Sequence, residues 1–131
     1  MADWDDVREI VAALPESEER PSYGGLPSWK VRGRQFCWER PLRPKDEEEL
    51  DDPPGGPVLG AAVADLGEKE ALLQSDPRLF FTVSHFDGHA AILVRLEEAS
   101  RERLAEIVED AWFARAPKRL AREYSERSRP D

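Results

Sequence analysis

The chain has 131 residues, 40% of them apolar, which is enough for one domain with a hydrophobic core but not for two. One cysteine excludes an internal disulfide, one cysteine and two histidines are too few for a four-ligand zinc centre, and no apolar run approaches the roughly 18 residues that a membrane span requires. The formal net charge of −9 disfavours a nucleic-acid partner, because binding to phosphates depends largely on lysine and arginine.

The N-terminal segment predicts a helix that begins after Asp3 and stops at Pro15. Asp3 is a favourable N-cap, Asp6 lies near the positive end of the helix, and one apolar stripe follows at helical spacing. The stripe consists of Trp4, Val7, Ile10, Val11 and Leu14. The acidic start is unlike the basic start of a secretion signal, so we expect a soluble, cytoplasmic protein. Residues 16–27 are expected to form a loop.

Residues 28–39 predict a β-hairpin with a two-residue turn at Gly33–Arg34. Alternation gives it an apolar face, formed by Trp29, Val31, Phe36 and Trp38, and a polar face, on which Lys30, Arg32 and Cys37 lie. The acidic segment 42–57 is rich in proline and glycine, and its composition predicts a mobile linker between strands.

The second half of the chain alternates strands and helices. It predicts a strand at 58–64, a helix from Asp65 to Ser75, strands at 79–83 and 90–96, and a long helix between Ser100 and Pro117. The order is α-β-β-β-α-β-β-α, which is typical of an α+β two-layer sandwich with a mostly antiparallel five-stranded sheet. We expect one domain over residues 1–122, one or two further helical turns at 118–124, and a polar C-terminal tail at 123–131.

Four segments of this chain resemble the MmcQ/YjbR family. They are DWDDVREIVAALP, LPSWKVRGRQFCW, EALLQSDPRLFFTVSHFDGHAAILVRL and AWFARAPKRL, and together they span about residues 3–122. The resemblance implies an α-β(3)-α-β(2)-α fold similar to type III secretion chaperones, and a DNA-binding role that the family's "double wing" likeness suggests. Many members have a lysine-rich His-x-Asn-Lys stretch where this chain has His85-Phe86-Asp87-Gly88-His89.

The two histidines in that turn are the first candidate site. Since His85 matches the family's histidine, we keep the hypothesis that it lines a small pocket together with His89. The alternative is that both histidines cap strand ends through hydrogen bonds. A metal site would need ligands from elsewhere in the chain, and a Ser84–His85–Asp87 triad is rejected because neighbouring strand residues point to opposite faces. We therefore expect no metal, no cofactor and no catalytic activity.

The basic residues are the second candidate site. One group comprises Lys30, Arg32 and Arg34 in the hairpin, and the other comprises Arg115, Lys118, Arg119 and Arg122 near the C-terminus. If the two groups adjoin, they form a phosphate-binding surface, with Tyr23 or Trp29 available for stacking on bases. The alternative is a solvated surface on which arginines pair weakly with the abundant acids.

Two function classes remain after these considerations. The first is a nucleic-acid-binding module that uses the basic residues. The second is a protein-interaction or chaperone-like adaptor that uses an exposed sheet face or edge. The two differ in their response to salt, because binding to DNA weakens steeply as salt rises. The sequence does not indicate the oligomeric state.

Overall fold

A six-stranded antiparallel sheet in the order β1-β2-β3-β4-β6-β5 organises the computed structural model, which describes residues 1–128 except for the side chains of Tyr23 and Ser128. The strands are β1 (Ser17–Pro21), β2 (Pro27–Val31), β3 (Arg34–Glu39), β4 (Val58–Ala62), β5 (Phe80–Phe81) and β6 (Ala91–Arg95). The helices are α1 (Trp4–Ala12), α2 (Pro44–Glu49), α3 (Leu66–Ser75), α4 (Arg101–Arg115) and α5 (Lys118–Ser128). The predicted α+β class is confirmed, with six strands instead of five.

The three predicted helix starts agree with the structure. Asp3 accepts a hydrogen bond from the Asp6 amide, and Asp6 returns one to the Asp3 amide, which completes a capping box. Asp65 caps α3 and Ser100 caps α4 through a single bond each, which the side-chain oxygen accepts from the amide three residues on. In each case a side-chain oxygen satisfies an amide that has no partner within the helix.

The additional strand, β1, lies in the segment predicted as a loop. It forms the edge of the sheet and pairs only with β2, where Glu19 lies opposite Trp29. Its residues are almost all exposed, because an edge strand is held by backbone hydrogen bonds and needs no apolar face. The segment therefore lacks the alternation by which a strand is recognised in a sequence.

The β2–β3 hairpin differs from the prediction in its turn and in its register. Val31 pairs with Arg34, so the turn is Arg32–Gly33, and both residues have the positive φ that a type I′ turn requires. Phe36 is unpaired, because Trp29 lies opposite Cys37 while Lys30 lies opposite Gln35. This β-bulge shifts the alternation by one residue.

The main core lies between one face of the sheet and a layer formed by α1, α4 and α5. Trp29 and Trp112 are fully buried there, and α5 adds Leu120 and Tyr124, whose ring lies 5.0 Å from that of Trp112. The helix α5 continues to Ser128, into the segment predicted as a tail; residues 129–131 lie outside the described part of the chain.

The other face of the sheet carries a smaller apolar cluster. It consists of Val58, Phe81, Val83 and Leu93, with Leu42, Leu50 and Phe86 packed against it. Segment 42–57 therefore covers this face, and it contains α2, which was not predicted. Asp46 of α2 is buried and pairs with Arg40 at 3.1 Å and with Arg43 at 3.3 Å. The C-terminal residue of α2, Glu49, accepts hydrogen bonds from the amide and hydroxyl of Ser84.

No helix within residues 1–128 combines the length and the apolar character needed to cross a membrane.

Candidate nucleic-acid interface

The two predicted basic groups meet at one end of the sheet. The Arg34 guanidinium, at the start of β3, donates a hydrogen bond of 3.0 Å to the carbonyl of Arg115, the last residue of α4. These residues are 81 positions apart in the sequence. The contact places the hairpin beside the α4–α5 junction, where the second basic group begins.

Ion pairs neutralise two of the seven predicted basic residues. Arg32 makes two hydrogen bonds to Glu16, of 2.7 and 3.0 Å, and Arg119 lies 3.4 Å from Glu123. The hydrogen bond from Arg32 lowers the pKa of the Glu16 carboxyl, so the pair stays charged at neutral pH. Both Glu16 and Arg32 have positive φ, and their two-fold contact fixes two adjacent turns against each other.

A third residue of the set, Lys30, points away from the others. In β2 it alternates with Trp29 and Val31, which face the main core. Lys30 therefore projects from the opposite face of the sheet, whereas Arg34 lies opposite Val31 and contacts the helix layer. The predicted arrangement, with Lys30 and Arg32 in a row along one hairpin face, is not what the register produces.

The remaining four residues, Arg34, Arg115, Lys118 and Arg122, form what we call the sheet-end basic surface. Among the described residues none of them has an acidic partner within 4.0 Å. Lys118 and Arg122 are exposed and lie one turn apart on the solvent side of α5, whose other side buries Leu120.

The histidine turn borders the same end of the sheet. The Arg115 guanidinium donates to the Ala90 carbonyl at 3.4 Å, next to His89. Both imidazoles are exposed, and His85 contacts the Phe86 ring edge-on at 4.9 Å. Neither lines the cavity between α3 and α4, and the described residues contain no group of three or more His, Cys, Asp or Glu side chains arranged to hold a metal.

The turn is held by Lys69, which is buried in α3. Its ammonium donates to the carbonyls of Phe86, at 2.7 Å, and His89, at 3.0 Å. Burial lowers the pKa of Lys69, while the charge of Asp87 opposes that change. This role of Lys69 was not predicted, because a lysine on a short helix is normally solvated and nothing near it in the sequence indicates burial.

A profile of the YjbR family matches residues 12–114. The chain belongs to the YjbR family. It is 41% identical over 128 residues to uncharacterised proteins of Mycobacterium tuberculosis and Mycobacterium bovis, an alignment that covers 95% of this chain and 96% of each relative. The crystal structure of Deinococcus radiodurans protein DR2400, with a domain of the DUF419 family, superposes with a TM-score of 0.63 at 21% identity, over 86% of this chain and 77% of that one. This likeness confirms the YjbR fold.

Of the two aromatic residues proposed for stacking on bases, Trp29 is not available to this YjbR surface. Trp29 is 1% exposed, and its indole donates to Glu19 at 3.1 Å. The side chain of Tyr23 lies outside the described part of the chain. Of the four tryptophans predicted in the core, Trp29 and Trp112 are buried, whereas Trp4 and Trp38 are half-buried. Trp38 lies on the second face of the sheet near Phe86, with the ring centres 6.2 Å apart.

The prediction that Cys37 lies on the polar face is wrong. The bulge at Phe36 places Cys37 opposite Trp29, and the thiol is fully buried in the main core. Burial raises its pKa, which suppresses the reactive thiolate. We expect no reaction of the native protein with a thiol reagent at pH 8, and one equivalent of reaction after unfolding in denaturant. Rapid labelling under native conditions would contradict this placement.

Proposed function

We propose that this YjbR protein is a non-catalytic nucleic-acid-binding module that contacts phosphates through the sheet-end basic surface. The hydrogen bond from Arg34 to the Arg115 carbonyl supports this proposal most directly, because it joins the hairpin to the α4–α5 junction. Phosphate contacts from lysine and arginine position a protein on nucleic acid without reading its sequence. We therefore propose binding that does not depend on base sequence.

The distribution of ion pairs supports the same surface. Arg32 and Arg119 are neutralised by glutamates, whereas the four members of the sheet-end basic surface retain their positive charge. The net charge of −9 opposes approach to a polyanion. Binding is accordingly expected at low salt, through about three phosphate contacts from the exposed members, Arg34, Lys118 and Arg122.

The surroundings of two potential nucleophiles, Cys37 and Ser84, support a role in binding and not in catalysis. The Cys37 thiol is buried with a raised pKa. The Ser84 hydroxyl donates to the Glu49 carboxylate, so that serine fixes the histidine turn to α2. A cytoplasmic location is part of the proposal, because a single buried free thiol is compatible with a reducing compartment.

The salt dependence of binding tests this proposal. With about three phosphate contacts, the affinity for a fluorescent DNA duplex is expected to fall about 40-fold between 50 and 200 mM salt. The double variant Lys118→Gln, Arg122→Gln removes two contacts and is expected to bind at least tenfold more weakly at 50 mM salt. Fluorescence anisotropy measures both effects.

The matched control is Lys45→Gln, Arg78→Gln, which makes the same change in net charge at exposed sites in α2 and before β5. It should bind almost as well as the wild type. An equal loss in both variants would show that only the overall charge matters, and no binding to duplex or single strand at low salt would refute the proposal.

The alternative adaptor role would use the free edge of β1. That edge has the sequence Ser-Glu-Glu-Arg-Pro, in which charges and a terminal proline oppose strand addition. The large hydrophobic residues exposed in the described part of the chain are Met1 and Leu66, which do not form an apolar docking surface. A partner protein whose binding is insensitive to salt would favour the adaptor over nucleic acid.

A further inference from the structure

A cavity of about 350 Å³ lies between the sheet and the helices α3 and α4. Its floor is formed by small residues of β4 and the residues after it, together with Ile92 of β6. Leu72 of α3 and Ile107 and Phe113 of α4 form apolar walls. The volume is at the lower end of the range for small-molecule sites, about 300–1,000 Å³. It shares no lining residue with the sheet-end basic surface.

The cavity exists because small side chains face a helix that is held at a fixed distance from them. Residues 61–64 are Ala-Ala-Val-Ala, and they leave space that larger residues would fill. The helix α3 begins at the Asp65 cap, and its buried Lys69 bonds to the histidine turn, which fixes the position of the helix. A cavity with such walls needs little rearrangement when a ligand enters.

Charged groups line the cavity on both helices. Glu68 of α3 and Asp110 of α4 carry carboxylates, and Arg103 of α4 carries the one positive charge in the lining. Arg103 is partly committed already, since it lies 3.4 Å from Glu106 and 5.3 Å from the centre of the Phe80 ring. The lining is therefore apolar at its base and has an excess of negative charge.

The Asp110 carboxylate is surrounded by more negative than positive charge. Desolvation raises its pKa, and the charges of Glu68, Glu109 and Glu106 raise it further, whereas Arg103 has the opposite effect. A cation at this position would relieve the repulsion among these carboxylates. An anionic ligand would add to that repulsion.

We propose that this cavity binds a small organic amine, whose apolar body lies on the alanine floor and whose ammonium group contacts Glu68 and Asp110. Apolar pockets with a few convergent polar groups are the usual form of small-molecule sites, where the polar groups fix the orientation of the ligand. Here two carboxylates supply that orientation, and their charge selects a cation over a neutral or anionic molecule of the same shape.

The test compares three probes of similar shape, 2-phenylethylamine, 2-phenylethanol and phenylacetate, by NMR titration of the wild-type protein. We expect the amine to shift resonances of residues 61–64 and of α4, and to bind at least tenfold more tightly than the alcohol. Equal binding of amine and alcohol, tighter binding of the carboxylate, or no binding of any probe at millimolar concentration would overturn the proposal.

The double variant Glu68→Gln, Asp110→Asn keeps the shape of the cavity and removes its charge. It is expected to lose the tenfold preference for the amine. The matched control Glu47→Gln, Glu48→Gln makes the same change in charge on exposed residues of α2, and it should keep that preference. If the control loses the preference as well, the selectivity comes from overall charge and the proposed contacts are wrong. The proposal does not depend on nucleic-acid binding, and no nucleic acid is present in the titration.

Discussion

Replacing Gly60 with alanine is expected to destabilise the protein by about 2–4 kcal/mol, because the new methyl group has no space. Gly60 lies in β4 directly opposite Trp38. A Cβ atom built at Gly60 would lie 2.2 Å from Cε2 of the indole and 2.4 Å from Nε1. The indole would have to leave its position near Phe86 to make room. Chemical denaturation at pH 7 measures the change in the free energy of unfolding.

Gly55 provides the matched control for this variant. A Cβ atom at Gly55 has no neighbour within 4 Å, and Gly55→Ala should change stability by less than about 0.5 kcal/mol. Shortening the opposing side chain, in the double variant Gly60→Ala, Trp38→Leu, should recover part of the loss. A Gly60→Ala protein as stable as the wild type would contradict the placement of Trp38.

Replacing Asp46 with asparagine is expected to destabilise the protein by about 2 kcal/mol at pH 7. Burial alone would raise the pKa of this carboxyl, but hydrogen bonds from the amide and guanidinium of Arg43 and the charge of Arg40 outweigh that effect and lower the pKa from 3.8 to about 2. The difference between these values corresponds to the expected energy. Asp46 also accepts the Arg43 amide bond at the start of α2.

The pH dependence of this variant has a defined sign. A carboxyl with a lowered pKa in the folded state stabilises the protein fully above its unfolded value of 3.8, and this contribution is lost as the pH falls towards 2. The difference between wild type and Asp46→Asn should therefore be constant from pH 7 to about 5 and shrink below pH 4. Denaturation curves across this range measure the change in stability. Proteolysis within segment 42–57 at pH 7 is expected to be faster in Asp46→Asn than in the wild type.

Asp51→Asn is the control for Asp46→Asn, since it removes the same charge from an exposed position in the same segment. It should leave both stability and proteolysis almost unchanged. If Asp46→Asn also left stability and proteolysis unchanged, segment 42–57 would not be fixed to the sheet by Asp46.

Local signals in the sequence were sufficient for most of the fold. The caps at Asp3, Asp65 and Ser100 and the apolar stripes of α1 and α4 act within a few residues, so they can be read directly. The errors arose where distant contacts decide the structure. The edge strand β1 is stabilised by backbone pairing, and α2 is a short polar helix whose last residue, Glu49, bonds to Ser84, 35 residues further along the chain.

The candidate site was less predictable for the same reason. The sequence grouped Lys30 with Arg34 because they are close in the chain, but the strand register puts them on opposite faces. The contact between Arg34 and Arg115 joins residues far apart in sequence. The cavity was missed because it is defined by the space above residues 61–64, and it takes its charges from two separate helices.

The bulge at Phe36 has a consequence for how relatives of this chain can diverge. The extra residue decides which side chain lies above Gly60. The bulge and the residues at positions 38 and 60 are therefore expected to be kept together or to change together. Without the bulge, a β3 strand of the same length would turn Cys37 away from the core and Trp38 into it, and both changes would have to be compensated at once. Substitutions elsewhere on the surface can accumulate one at a time, whereas this hairpin can change only by coordinated steps.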